Sequence, residues 1–262
     1  MATNVTFDVD ITGCADLVRR GDPDRFLAIM SAPVGRRAAL FVIYAFNLEV
    51  ARAPWVTKEA MIAEMRLQWW QDAIEEIYTG KDVRRHEVVT PLAALIAERD
   101  LPRELFDEMI AARRWDIYSE PHAHAFAFQD YVMHTSGNLM ALACLSVGMA
   151  ADDMGVAQEY GYGDGIARLF LAIPELENAQ RKPLFDGRSG AVQKLAGNAF
   201  ERMKRARFSD KGANSALRTA WMAMPILKIA MRDPARVGAG QLATTDFRKK
   251  LRLLVKSIFN RY

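Results

Sequence analysis

Several things are scarce in this chain, and each scarcity removes a class of function. Cysteine occurs twice in 262 residues, at Cys14 and Cys144. The two lie far apart and make no Cys-x-x-Cys or zinc spacing, so reduced thiols in a cytosol-like compartment are expected. Long apolar runs are missing. The longest, residues 139–151, is broken by Ser146 and Gly148 and is short of the roughly 20 apolar residues that cross a bilayer. Charge of one sign is not in excess: 35 basic against 32 acidic side chains leave +3. That balance argues against a nucleic-acid partner. Residues 1–10 hold two aspartates and no lysine or arginine, the opposite of a secretory or mitochondrial leader. There is no Walker loop, Gly-x-Ser-x-Gly, His-Glu-x-x-His or dinucleotide fingerprint. A sustained period of two, the mark of a strand, is absent as well.

What is present is helical. Apolar residues make up 51% of the chain, enough for a sizeable core. Asp22-Pro23 reads as a helix cap and first turn. Pro33 precedes a long apolar helix that should end near Pro54. Thr57 is placed to cap the next, through Met61, Met65, Trp69 and Ile77 to Gly80. Further helices are expected at Thr90-Pro91, after Pro102, and over residues 130–148, 156–173, 190–207, 215–232 and 246–260. No linker or repeat divides them. The expectation is an all-α, single-domain helical bundle over 15–262, with 1–14 as an N-terminal extension.

Three segments, in order, resemble the squalene/phytoene synthase family. The first is Asp22-Pro-Asp-Arg-Phe, followed by Gly35 to Phe46 ending in Tyr-Ala-Phe. The second is Tyr131-Val-Met-His-Thr-Ser-Gly137 and the small-residue run after it, similar to a family segment in which small residues let helices pack closely. The third is Gly161-Tyr-Gly-Asp-Gly-Ile-Ala-Arg-Leu-Phe170. Ala45-Phe-Asn-Leu-Glu-Val-Ala51, Met65-Arg-Leu-Gln-Trp-Trp70 and Ile74-Glu-Glu-Ile-Tyr78 are closer still to one branch of that family. That branch includes a mitochondrial complex I assembly factor and is regarded as non-catalytic. The resemblance implies the isoprenoid synthase fold and, for an active member, head-to-head joining of two prenyl diphosphates.

Such chemistry needs Mg²⁺ to neutralise the departing diphosphate. Mg²⁺ takes oxygen ligands, which the family supplies as aspartates four residues apart on facing helices. Aspartates at that spacing share one helix face. Here no Asp-x-x-x-Asp occurs anywhere. By the resemblance, the first motif falls on Asn47, Glu49, Ala51, Arg52 and Trp55, with Ala51 and Trp55 in the aspartate positions. The second falls on Asp164, Arg168, Pro174 and Asn178, with Pro174 also expected to stop its helix. Neither set suits a metal. The expectation is therefore no catalytic residue, no metal site and no cofactor, with Mg²⁺ relevant only if an active prenyl transferase uses other ligands. The mixed pairs Asp72/Glu76, Glu104/Glu108 and Asp116/Glu120 read as solvated helix faces. His122, His124 and His134 lack further ligands nearby.

A residual pocket is expected around Phe46, Arg66, Trp69, Ser136 and Phe170. Arg66 could hold an anion or pair with Glu49. In the last helix Leu251, Leu254, Val255, Ile258 and Phe259 share a face, flanked by Arg248, Lys249, Lys250, Arg252 and Lys256. This is either a core-packing helix with a solvated basic rim or a surface that rests on anionic lipid or a partner. Three functions compete: a non-catalytic assembly or binding factor, which the resemblance would tie to subunits of respiratory complex I; an active prenyl transferase with unusual ligands; and a carrier of an isoprenoid lipid. The expected location is cytoplasmic and peripheral, on the inner face of the cytoplasmic membrane.

Overall fold

At Asp22 a side-chain oxygen accepts a hydrogen bond from the Arg25 amide, 3.0 Å away, and Pro23 follows in the first turn. That cap ends one helix and starts the next: α1 (Val9–Gly21) and α2 (Pro23–Met30). The computed structural model describes residues 9–118, 120–209, 211–242 and 245–262, and among these no strand forms. The all-α expectation holds. Ile11 and Cys14 are buried, so the packed body begins inside the stretch 1–14 set apart as an extension; residues 1–8 of that stretch lie outside the described residues.

α3 (Val34–Arg52) is buried at every position from Ala38 to Asn47. A helix apolar on all sides belongs at the centre of a fold, and α1, α2, α5 (Val89–Arg99) and α8 (Asn138–Ser146) surround it. α4 (Ala60–Thr79) ends at Gly80, whose φ of 67° is the left-handed cap that glycine takes without strain. Its buried stripe is Ala63, Leu67, Trp70, Ala73 and Ile74, while Met61 and Met65 are exposed. The stripe expected through Met61 and Met65 thus faces outward. Thr57 accepts from the Glu59 amide, just ahead of the helix.

α6 (Arg103–Ala112) runs into a 3₁₀ turn, Arg113–Ile117. The helix expected over 130–148 is divided into α7 (Ala125–Val132), a π-helical turn Met133–Gly137, and α8. The Thr135 hydroxyl donates back to the Tyr131 carbonyl at 2.7 Å, a competition that disturbs regular helix bonding. α9 (Met154–Asn178) passes through Pro174 rather than stopping there. Proline forfeits one backbone bond, but Pro174 sits in the last turns of a long helix and packs beside Gly240. α10 (Ser189–Arg205) lies against α9.

The helix expected over 215–232 is broken as well. α11 (Asn214–Leu217) gives way to a 3₁₀ turn at Arg218–Ala220, and α12 (Ala223–Arg232) starts afresh. Pro225 explains the restart, since it has no N–H to give the carbonyl of Trp221. α13 (Ala235–Gly238) and α14 (Asp246–Ile258) complete the chain. No helix among the described residues is long and apolar enough to cross a membrane.

Glycines set how closely α9 approaches its neighbours. A Cβ on Gly161 would lie 2.5 Å from the Ser136 carbonyl oxygen, and one on Gly163 would lie 3.0 Å from the Ala199 carbonyl oxygen. One face of α9 therefore touches the π turn and α8, and the other touches α10.

Candidate functional site

A cavity of about 310 Å³ opens between α3, the π turn and α9. α3 contributes Asn47, and Trp55 follows in the loop. The π turn contributes Thr135 and Ser136. α9 contributes Gly165, Arg168, Leu169, Ala172 and Leu176. On α9 the residues that face the cavity at four-residue spacing are thus Arg168, Ala172 and Leu176. Pro174 and Asn178, expected as the second motif's metal positions, are not in the lining. On the α3 side Trp55 lines the cavity, while Ala51 and Arg52 do not.

Two of the lining residues, Arg25 and Arg168, belong to a closed ring of charge behind the cavity wall. Arg25 reaches Asp164 at 3.0 Å and Asp22 at 3.3 Å. Arg168 reaches Asp164 at 2.9 Å and Asp22 at 3.0 Å. Two cations and two anions alternate, each touching both partners of opposite sign. Arg168 also donates to the Thr219 carbonyl at 3.3 Å. The Arg25 guanidinium lies over the Tyr44 ring at 4.8 Å, and the Tyr44 hydroxyl meets that of Thr219 at 2.6 Å. Burial works to raise the carboxyl pKa of Asp22, but Arg168 and Arg25 together hold it below the usual range. Burial pushes the Tyr44 phenol up to about 12. The Arg25 Nε is buried without a partner.

Asp116 is the one carboxylate among the described lining residues. It is buried, with Arg113 at 3.1 Å and the Tyr131 hydroxyl at 2.8 Å. The expectation of a solvated face is corrected at this position, because the 3₁₀ turn swings Asp116 inward. The fit to magnesium fails. Hard divalent ions need several free oxygens converging on one point, and here each buried carboxylate is already held by arginine. A cation placed among Arg25, Arg113 and Arg168 would also be repelled. No cluster of three or more His, Cys, Asp or Glu able to hold a metal occurs among the described residues.

The five expected pocket residues separate. Ser136 lines the cavity. Phe46 and Phe170 are wholly buried core, Phe46 packing edge-on against Trp70 and Phe106. Arg66 and Trp69 line a second cavity of about 230 Å³, together with Glu49, Ala53, Trp70 and His86. Arg66 and Glu49 share that space without forming an ion pair. His122 stacks on Trp115 at 3.9 Å, and burial lowers its pKa to about 4. Arg25, Arg113, Asp116 and Tyr131 were not marked by the sequence as cavity residues, nor Asp22 as a member of the ring. The available signal was Asp164 with Arg168, an opposite-charge pair four residues apart within the stretch 160–174 of α9, which holds no other charged residue.

α14 turns its apolar stripe outward. Leu251, Leu254, Val255, Ile258 and Phe259 are all exposed, Ile258 by 68%, and Leu253 on the other side is the buried residue. The core-packing reading of that stripe is therefore corrected. Its basic rim is uneven. Arg248 and Lys250 are exposed and Arg252 is half-buried. Lys249 pairs with Asp24 at 3.5 Å. Lys256 is half-buried, and burial, with Arg252 and Arg218 adding to it, lowers its pKa to about 8. The picture of five fully solvated cations is corrected accordingly.

Comparison with known proteins agrees with this architecture. The squalene/phytoene synthase family model matches residues 18–185. The complex I assembly factor 6 homolog of Drosophila melanogaster is 29% identical over 215 residues, which is 78% of this chain and 61% of that protein. Assembly factor 6 of Homo sapiens is 25% identical over 164 residues, 62% of this chain and 48% of that protein. The chain thus spans about half to three-fifths of the length of these relatives. A crystal structure of a dehydrosqualene synthase with bound ligand superposes with a TM-score of 0.76 at 14% identity, covering 97% of each chain. At that identity the likeness speaks for the fold.

Proposed function

This chain belongs to the squalene/phytoene synthase family, and we propose that it works there as a non-catalytic assembly factor for a membrane-bound respiratory complex. The observation that carries this reading is the ring of Asp22, Arg25, Asp164 and Arg168. It presents Arg25 and Arg168 to the cavity and ties up Asp22 and Asp164 behind them, where prenyl transfer would need free carboxylates. The relatives named complex I assembly factor 6 supply the choice of partner.

In this reading no cofactor is required, and the partner is a protein, namely subunits of respiratory complex I. Contact with the membrane is peripheral, on the inner face of the cytoplasmic membrane. The exposed stripe of α14 rests on it while Arg248 and Lys250 meet anionic headgroups. Each basic side chain near such a surface contributes about 1 kcal/mol. A second reading, a carrier of an isoprenoid lipid, is favoured by the cavity itself, whose lining includes Val132, Leu139, Leu169 and Leu176.

Two measurements test the proposal together. The purified chain is incubated with farnesyl or geranylgeranyl diphosphate and Mg²⁺, and diphosphate release is followed. None is expected, and turnover near about one per second, ordinary for enzymes, would overturn the non-catalytic reading in favour of a transferase with unusual ligands. Affinity capture from solubilised membranes is expected to bring complex I subunits with the chain. Their absence from the captured material would overturn the choice of partner.

A further inference from the structure

Away from the ring, near the opposite end of α3, a shallow cavity of about 700 Å³ lies where the end of α2, the start of α3, α11 and the end of α14 meet. Arg36, Lys211 and Arg218 line it, and no carboxylate is found among its described lining residues. Ser31, Ser215 and Ser257 are among the lining residues as well.

Arg218 differs from the other deeply placed arginines. It is 1% exposed. Arg25, Arg113 and Arg168 each have a carboxylate within 3.3 Å. Arg218 forms no ion pair with any described carboxylate. It donates to the carbonyls of Arg261 and Ser31, to the Ser31 hydroxyl, and to the side-chain oxygen of Asn260. Those bonds use four of the five N–H donors of a guanidinium, all on neutral acceptors. Burial alone lowers its pKa, with no anion opposing the trend. A buried charge without a counter-ion is costly, and folds seldom keep one idle.

Ser215 supplies an independent observation. It is 2% exposed, lines the cavity, and its hydroxyl has no hydrogen-bond partner. Buried hydroxyls are ordinarily satisfied. Arg36, half-buried, is held by the Gly212 carbonyl with its guanidinium at the cavity wall. Lys211 is exposed at the rim.

We propose that this cavity binds a phosphate-type oxyanion carried on a larger molecule, received by Arg36, Lys211, Arg218 and the Ser215 hydroxyl. Tetrahedral oxyanions accept several charge-assisted hydrogen bonds at once, and arginine forks match their geometry. The volume is larger than one phosphate needs, so the group arrives attached to something. Two sources share this chemistry: a phospholipid headgroup, which the neighbouring exposed face of α14 favours, and a soluble phosphate ester.

The test uses the full chain. In solution, glycerol 3-phosphate and inorganic phosphate are titrated at fixed ionic strength against chloride, reading the thermal midpoint and phosphorus NMR line width. On membranes, flotation with phosphatidylglycerol vesicles is compared with phosphatidylcholine vesicles. Arg218→Met removes a buried crosslink and is expected to disturb folding. Lys211→Gln and Ser215→Ala therefore carry the test. Each should weaken binding by about tenfold or more, the loss expected for one hydrogen bond to a charged group. Saturable stabilisation by the soluble esters assigns a soluble ligand. Binding only on phosphatidylglycerol, reduced in both variants, assigns a headgroup. Either outcome supports the site. It is overturned if neither arm shows a response beyond chloride or phosphatidylcholine, or if both variants bind as the wild type does.

Discussion

Replacing Asp164 by leucine should destabilise the fold by about 3 kcal/mol. The substitution leaves Arg25 and Arg168 sharing Asp22 alone, so a neutral ring becomes a site with net positive charge. Arg25 and Asp164 have side chains only 7% and 4% exposed, which places them in the range where removing one partner of a buried pair costs about 3–5 kcal/mol. Arg168 is 29% exposed and can turn toward water, which puts the loss at the lower end. At about 2–4 °C per kcal/mol for a chain of this size, the thermal midpoint should fall by about 6–12 °C. Urea unfolding followed by circular dichroism gives the free energy directly. The double variant Arg25→Leu/Asp164→Leu restores neutrality, because Asp22 and Arg168 remain paired. Its loss should be smaller than the sum of the single losses, with a coupling of about 1–3 kcal/mol. An unchanged midpoint in Asp164→Leu, or strictly additive losses in the double variant, would refute the ring as a coupled unit.

His122 has a folded-state pKa of about 4 against 6.5 in the unfolded chain. Stability should therefore be full above pH 6.5 and decline by about 3 kcal/mol as pH falls toward 4; if His122→Phe leaves the slope of unfolding free energy over that window unchanged, the assignment fails. Gly161→Ala should cost about 1–3 kcal/mol through overpacking against the Ser136 carbonyl. Gly197→Ala, with nothing within 4 Å of the new Cβ, should stabilise α10 by about 0.5–1 kcal/mol; parallel thermal melts check both signs. For α14, Arg248→Gln/Lys250→Gln should reduce flotation with anionic vesicles and leave the melt unchanged, whereas Lys249→Gln should also affect stability by breaking the contact with Asp24. Equal flotation of the double variant and the wild type at low salt would remove the membrane contact.

The helical class and most helix positions were legible because they rest on local signals: the Asp22-Pro23 cap, the Gly80 stop, and apolar spacing. Where the pattern misled, tertiary structure had intervened. The π turn at Met133–Gly137 and the restart at Ala223 both interrupt runs that look continuous in composition. Met61 and Met65 fit a buried stripe as well as Ala63 and Leu67 do, and only the neighbouring helices decide which face is covered. The loss of the aspartate pairs was readable without coordinates, since absence of a spacing needs no alignment. The ring that takes their place was not. Its members are 139 and 146 residues apart across the contacts Arg25–Asp164 and Asp22–Arg168, and no local pattern links them. Arg218 was equally silent, because an arginine in sequence is ordinarily an exposed one.

The Ser31 carbonyl carries a consequence for how the chain is made. It accepts from Arg218 and from the hydroxyl of Ser257, partners 187 and 226 residues further along. At about 5–20 residues per second, Ser257 leaves the ribosome on the order of ten to forty-five seconds after Ser31 does. For that interval the Ser31 carbonyl at the end of α2 lacks the partners that later close over it, although α5 and α8, which cover α3, are made well before Ser257. Early folding can lean on the α1–α3 contacts that are available at once, while the end of α2 waits for Arg218 and Ser257 to complete its hydrogen bonding.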